Sequence, residues 1–171
     1  MRIASSIMMA ATLVAIMNAL ATAEEAKSRT YGAWQVVCGS TAEGHARCSL
    51  LQQQATSTTE GAQQRLLAIE LQPTPDAARG TIILPFGLDL SKGAKLSLPG
   101  TQGQTHPFKT CLPAGCLVDV SFGPESLSAL SKADALEISV VPMQQDGVSQ
   151  LRVLLEGFPQ ALQAARQGRI D

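Results

Sequence analysis

From Thr30 onward the chain breaks into short apolar or alternating runs separated by Gly, Pro, Asp and Ser, a spacing that suits strands rather than long helices. Tyr31 to Cys38 reads as a first strand, and Arg47 to Gln53 as its partner across the loop Gly39 to Ala46. Within Leu66 to Leu71, the residues Leu67, Ile69 and Leu71 share one face and Glu70 takes the other, which is the period of a half-buried strand. Thr56 to Gln64 before it reads as a polar connecting loop. The apolar run from Ile82 to Leu88 contains Pro85, which cannot donate to a sheet ladder and so predicts an edge position or a bend. Lys95 to Leu98 alternates again, with Leu96 and Leu98 inward. Phe108 to Cys111 and Gly115 to Ser121 follow as strands joined by Leu112-Pro113-Ala114.

Pro124 stands at a first helical position, with Leu127 and Leu130 three apart, so a short helix is predicted there. Leu136, Ile138 and Val140 then alternate with Glu137 and Ser139. Asp146-Gly147 supplies a turn, and Val148 to Leu155 returns as a hairpin partner. Pro159 to Gln167, rich in Ala, Gln and Leu and closed by Gly168, predicts a terminal helix. The expectation is a mostly β domain with one or two short helices, and the chain shows no internal repeat.

The segment ahead of these runs has a different character. Arg2 precedes an apolar stretch from Ile7 to Leu20, and Ala21-Thr22-Ala23 stands before Glu24-Glu25. That is the layout of a secretory signal peptide with a small-residue cleavage site, and the stretch is shorter than the ~20 residues of a spanning helix. Residues 1–23 are therefore expected to be a signal peptide and residues 24–171 the mature domain, with no integral membrane segment after cleavage. Export places Cys38, Cys48, Cys111 and Cys116 in an oxidising compartment, where an even count reads as two disulfides. Of the three connectivities, Cys38 with Cys48 and Cys111 with Cys116 is favoured, because each pair is close in sequence and flanked by strand-like segments.

Zinc and redox chemistry fit the cysteines less well. Zinc knuckles favour C-x2-C to C-x4-C spacing, which Cys38 and Cys48 lack, and a thioredoxin-like site needs C-x-x-C at a helix start. No cofactor or metal is expected. With Arg2 removed, 12 basic residues stand against 14 acidic ones, a net charge of −2 with no basic stripe, which excludes nucleic acid as a partner. Charged residues are only 16% of the chain, and the glutamines Gln52 to Gln54, Gln63 and Gln64 suggest a polar, weakly charged surface. His45 and His106 sit in predicted loops without an acidic residue placed to orient them, and no G-x-S-x-G marks a nucleophile. Asp119 and Glu137 lie on predicted strands and could face each other, although outward sheet faces carry such residues routinely. Trp34, the only tryptophan, is expected in the core against a disulfide.

Tyr31-Gly32-Ala33-Trp34-Gln35-Val36-Val37-Cys38, Cys48 with Leu50 and Gln52, Leu84-Pro85-Phe86-Gly87-Leu88, Pro107-Phe108 leading to Cys111 and Gly115-Cys116, and Gly157-Phe158 with Ala161-Leu162 together resemble the invasion-associated locus B family. The resemblance spans essentially the whole mature chain, and its pieces are specific as a set rather than singly. It implies an immunoglobulin-like antiparallel β-sandwich, export to the periplasm or the outer-membrane side of Gram-negative, chiefly alphaproteobacterial, cells, and no recognised catalytic residues. The founding members of that family are associated with entry into host red cells. The function expected is a periplasmic, secreted or envelope-associated, non-enzymatic domain that contacts a protein or envelope component through an apolar patch beside Ile82 to Leu88. The competing expectation is an envelope hydrolase that uses His45 or His106, which requires a carboxylate or hydroxyl within hydrogen-bond reach.

Overall fold

The computed structural model describes residues 27–40, 46–57, 63–144 and 146–168. The expected signal peptide with its cleavage site, and His45, lie outside these residues. Two antiparallel sheets form a β-sandwich with two short helices, the fold class that the resemblance implied. The strands are β1 (Lys27–Tyr31), β2 (Trp34–Ser40), β3 (Ala46–Ser57), β4 (Gln63–Pro73), β5 (Ala78–Leu84), β6 (Ala94–Ser97), β7 (Gln104–His106), β8 (Phe108–Leu112), β9 (Gly115–Phe122), β10 (Ala135–Val140) and β11 (Ser149–Leu154). The helices are α1 (Pro124–Leu130) and α2 (Phe158–Gln167), each with proline in its first turn where a missing N–H costs nothing. The larger sheet runs β1-β2-β3-β4-β5-β9-β8 and the smaller β11-β10-β6-β7.

The alternation that predicts the strands also sorts their faces. Leu67, Ile69 and Leu71 of β4 are buried while Glu70 is exposed, and β10 buries Leu136, Ile138 and Val140. These inward faces, with Val36, Leu50, Ile82, Val118 and Val153, form one core between the sheets. Helix α2 packs against β1 to β4 on the inner side and adds Phe158, Ala161, Leu162 and Ala165 to the core. Arg166 near its end donates through Nε to the Thr74 carbonyl at 3.1 Å, which ties the helix to the connection between β4 and β5.

Three expectations about the strands change. Tyr31 to Cys38 is not one strand, because Gly32 at φ 55° and Ala33 turn the chain between β1 and β2. The turn is held from outside: the Ala33 amide donates to the Glu156 carbonyl at 3.1 Å, and Gly157 at φ 78° lies against the Tyr31 carbonyl where a Cβ would collide. Both glycines are therefore needed for a backbone-to-backbone approach as well as for their dihedral angles. Thr56 to Gln64 is loop for only part of its length, since β3 reaches Ser57 and β4 begins at Gln63. Pro85 marks a bend rather than an edge, for β5 lies between β4 and β9, and its ladder stops at the pair Leu84 and Cys116 just before the proline.

Trp34 is buried, and its ring neighbour is Phe158, with centroids 5.1 Å apart and planes tilted by 54°. The Cys38 bridge lies four residues farther along β2, roughly 13 Å away at strand rise, so the indole packs on the helix rather than on the disulfide. The indole Nε1 donates to the Leu154 carbonyl at 2.9 Å. Gln52 meets the same residue. Its side-chain Nε2 donates to the Leu154 carbonyl at 2.6 Å, and its Oε1 accepts the Leu154 amide at 2.9 Å. Gln54 donates to Gln52 Oε1 at 2.9 Å and to the Arg152 carbonyl at 2.7 Å. Two amide side chains of β3 thus pair with the backbone edge of β11 and join the sheets along one side. The other side is joined by the chain itself, which passes from β7 to β8 through Pro107.

Candidate functional site

The structure pairs Cys38 with Cys48 and Cys111 with Cys116. In each case the two residues are directly opposite across a hairpin, β2 with β3 and β8 with β9. Cys48 and Cys116 are buried and their partners half-buried. Both bridges pin strand registers, and among the described residues no group of three or more His, Cys, Asp or Glu side chains is arranged to hold a metal.

The other polar residues singled out in the sequence stand apart. His106 ends β7 opposite Ala94, and no carboxylate or hydroxyl among the described residues bonds its ring. Asp119 and Glu137 do not face each other: Asp119 is on β9 of the larger sheet and Glu137 on β10 of the smaller. Asp119 accepts from Lys109 Nζ at 2.8 Å and from the Thr81 hydroxyl at 3.4 Å. The Lys109 bond, with smaller help from that cation's charge and from Thr81, holds its carboxyl below the usual aspartate value. Glu137 is opposite Arg152 on one side and Ser97 on the other.

Two surfaces remain that could receive a partner. The first is the end of the sandwich where β5 leaves the larger sheet. Phe86 follows the Pro85 bend and is 61% exposed. Leu88 forms a bridge with Pro142, and the Met143 amide donates to the Gly87 carbonyl at 2.7 Å, which brings Met143, 67% exposed, beside this loop. Val148 stands just before β11, whose Ser149 is opposite Val140, and is also exposed. Leu112 reaches the same end, because Cys116, the partner of Leu84, is next to the Leu112–Gly115 pair that closes the β8–β9 hairpin. Buried Ile82, Leu84 and Leu88 of this run belong to the core, so the exposed apolar side chains are those at the loop tips. Their convergence depends on tertiary pairing between segments far apart in sequence. Only the Ile82 to Leu88 part of it could be seen in the chain.

The second surface is the outer face of the larger sheet, where a concavity of about 550 Å³ is lined by Thr30, Gln35, Leu51, Gln53, Ala68, Glu70 and Ile83. Its floor is aliphatic and half-buried, and its walls are hydroxyl, amide and carboxylate groups. Among the described residues no helix is long and apolar enough to cross a membrane.

Comparison with known proteins gives a consistent picture. The family model for Invasion associated locus B (IalB) protein matches residues 34–166. An invasion protein B homolog of Brucella abortus is 35% identical over 134 residues, covering 78% of this chain and 75% of that protein. Invasion protein B of Bartonella bacilliformis is 28% identical over 138 residues, covering 79% of this chain and 72% of its own length. The crystal structure of invasion associated protein B from Bartonella henselae superposes with a TM-score of 0.69 at 27% identity, covering 81% of this chain and 94% of that one.

Proposed function

The chain belongs to the invasion-associated locus B family, and from that premise we propose that it is an exported, envelope-associated domain that acts by surface contact rather than by catalysis. The observation that carries this reading is the gathering of Phe86, Leu112, Met143 and Val148, all at least half exposed, at one end of the sandwich. Monomeric proteins rarely leave large apolar side chains grouped in this way, and such groups mark interaction sites. Three separate connections, β5–β6, β8–β9 and β10–β11, contribute to the group, and the two disulfides pin hairpins of the scaffold that holds it. The partner is a protein or another envelope component, and the invasion-associated names of the relatives support a role in host association.

The test is site-specific photo-crosslinking in intact cells of the native host. A crosslinking residue at Phe86 or Met143 should give a discrete adduct in the envelope fraction, and one at Gln150, on the exposed side of β11, should not. Folded protein that yields no adduct from either position, or the same adducts from all three, would overturn the assignment. Mass determination of the protein recovered from that fraction should show a chain beginning at Glu24, and recovery of the full-length chain from the cytoplasm would refute export.

A further inference from the structure

The outer face of the larger sheet carries a second feature that the apolar end does not explain. Glu70, Thr81 and Asp119 stand in one cross-strand row on β4, β5 and β9. Asp119 is compensated by Lys109 and takes the Thr81 hydroxyl as well. The Glu70 carboxylate has no ion pair or hydrogen bond among the described residues. Arg79 is the cation next in register, diagonal to Glu70 on β5, and it makes no ion pair with it. Arg29 is on β1 but lies over the Tyr31 ring, 5.6 Å from its centroid, on the opposite parity from Thr30. One carboxylate is thus left uncompensated at the edge of a concavity floored by Leu51, Ala68 and Ile83.

These groups describe their ligand. A floor of aliphatic side chains accepts an aliphatic stem, and a lone carboxylate accepts a cation at the end of it. The amide oxygens of Gln35 and Gln53 and the Thr30 hydroxyl can take the remaining N–H donors. From Thr30 on β1 to Ile83 on β5 the concavity crosses four inter-strand steps, roughly 19 Å, which is the length of about six extended residues. We propose that this groove binds an extended segment of a partner polypeptide by one lysine or arginine side chain, its stem on Leu51, Ala68 and Ile83 and its charged head on Glu70. The proposal goes beyond the contact role of the apolar end, on which it depends only in taking the domain to be a binding module.

The experiment uses the oxidised mature chain and four capped six-residue peptides of Ala, Ser and Leu that differ only at a central Arg, Lys, Gln or Glu, titrated while backbone amide NMR shifts are followed. The Arg and Lys peptides should shift the amides of Leu51, Ala68, Glu70 and Ile83, and the Gln and Glu peptides should not. E70Q should weaken the Arg peptide about fivefold, in keeping with an exposed charge pair, and leave the melting temperature unchanged. Equal shifts from all four peptides, undiminished binding by E70Q, or binding of free putrescine as tightly as the Arg peptide would each overturn the proposal. An F86S/M143S variant separates the two readings, because it should lose the envelope partner and keep the Arg peptide.

Discussion

Replacing Gln52 with leucine tests how the two sheets are joined. The substitution keeps the volume of a side chain that is 4% exposed but removes both bonds to the Leu154 backbone and the one accepted from Gln54. Each such bond contributes about 1 kcal/mol net, and the Leu154 amide, left without an acceptor, costs a further ~1 to 3 kcal/mol. The Leu154 carbonyl keeps the Trp34 indole, and the added apolar burial returns roughly 1 to 2 kcal/mol. The net expectation is a loss of about 3 kcal/mol, or about 10 °C in melting temperature for a domain of this size. Guanidinium unfolding under non-reducing conditions should show a lower midpoint at an unchanged m-value, and hydrogen exchange should show the Leu154 amide losing protection. Gln53→Leu, on the solvent side of the same strand, should stay within about 0.5 kcal/mol of the parent. A Q52L protein as stable as the Q53L control, with Leu154 still protected, would refute the amide bridge as a structural tie.

Gly157→Ala should lower stability by at least about 2 kcal/mol in thermal unfolding, because it places a Cβ against the Tyr31 carbonyl at a positive φ. On the loop-entropy model, the double Cys→Ser variant of the Cys38–Cys48 pair should lose about 3 kcal/mol and that of Cys111–Cys116 about 2 kcal/mol in denaturant unfolding. The Asp119 carboxyl should titrate below the ordinary aspartate value by NMR, and Lys109→Met should move it back up. Because the folded value is depressed, the contribution of Asp119 is present above the unfolded aspartate pKa and is lost as pH falls through the lower folded one. The K109M variant should therefore show a flatter dependence of stability on pH across that acid range, and an unchanged slope would refute the coupling.

Strands with one apolar face were legible wherever that face was continuous: β4, β9 and β10 follow directly from their alternation. Strand β1 was not, because Lys27 to Thr30 are all exposed and an edge strand without an apolar face leaves no period to read. The ends of β3 and β4 leave no such period either, since Thr56, Gln63 and Gln64 carry the ladder on with polar residues. By its polarity alone Gln52 reads as a surface residue. Parity with Leu50 on the same strand could have placed it inward. Phe86 was visible as part of an apolar run, but Leu112, Met143 and Val148 join it only through pairings across the two sheets. The Glu70 groove had no sequence signal, for its lining is spread over β1 to β5 and its meaning depends on which of two carboxylates Lys109 reaches.

The pairing of Gln52 and Gln54 with β11 also bears on how the protein behaves in company. β11 is the outermost strand of its sheet, and such a strand ordinarily offers a row of open backbone groups to any other extended chain. Here the Leu154 amide and carbonyl and the Arg152 carbonyl are already engaged by side chains of the same molecule, in the manner of a short substitute strand. A second copy arriving at this edge would have to displace amides held in a partly buried network before it could pair. The bridge that ties the sheets together is thereby also a guard against fibre-like stacking, and its removal would be felt as lost solubility at high concentration as well as lost stability.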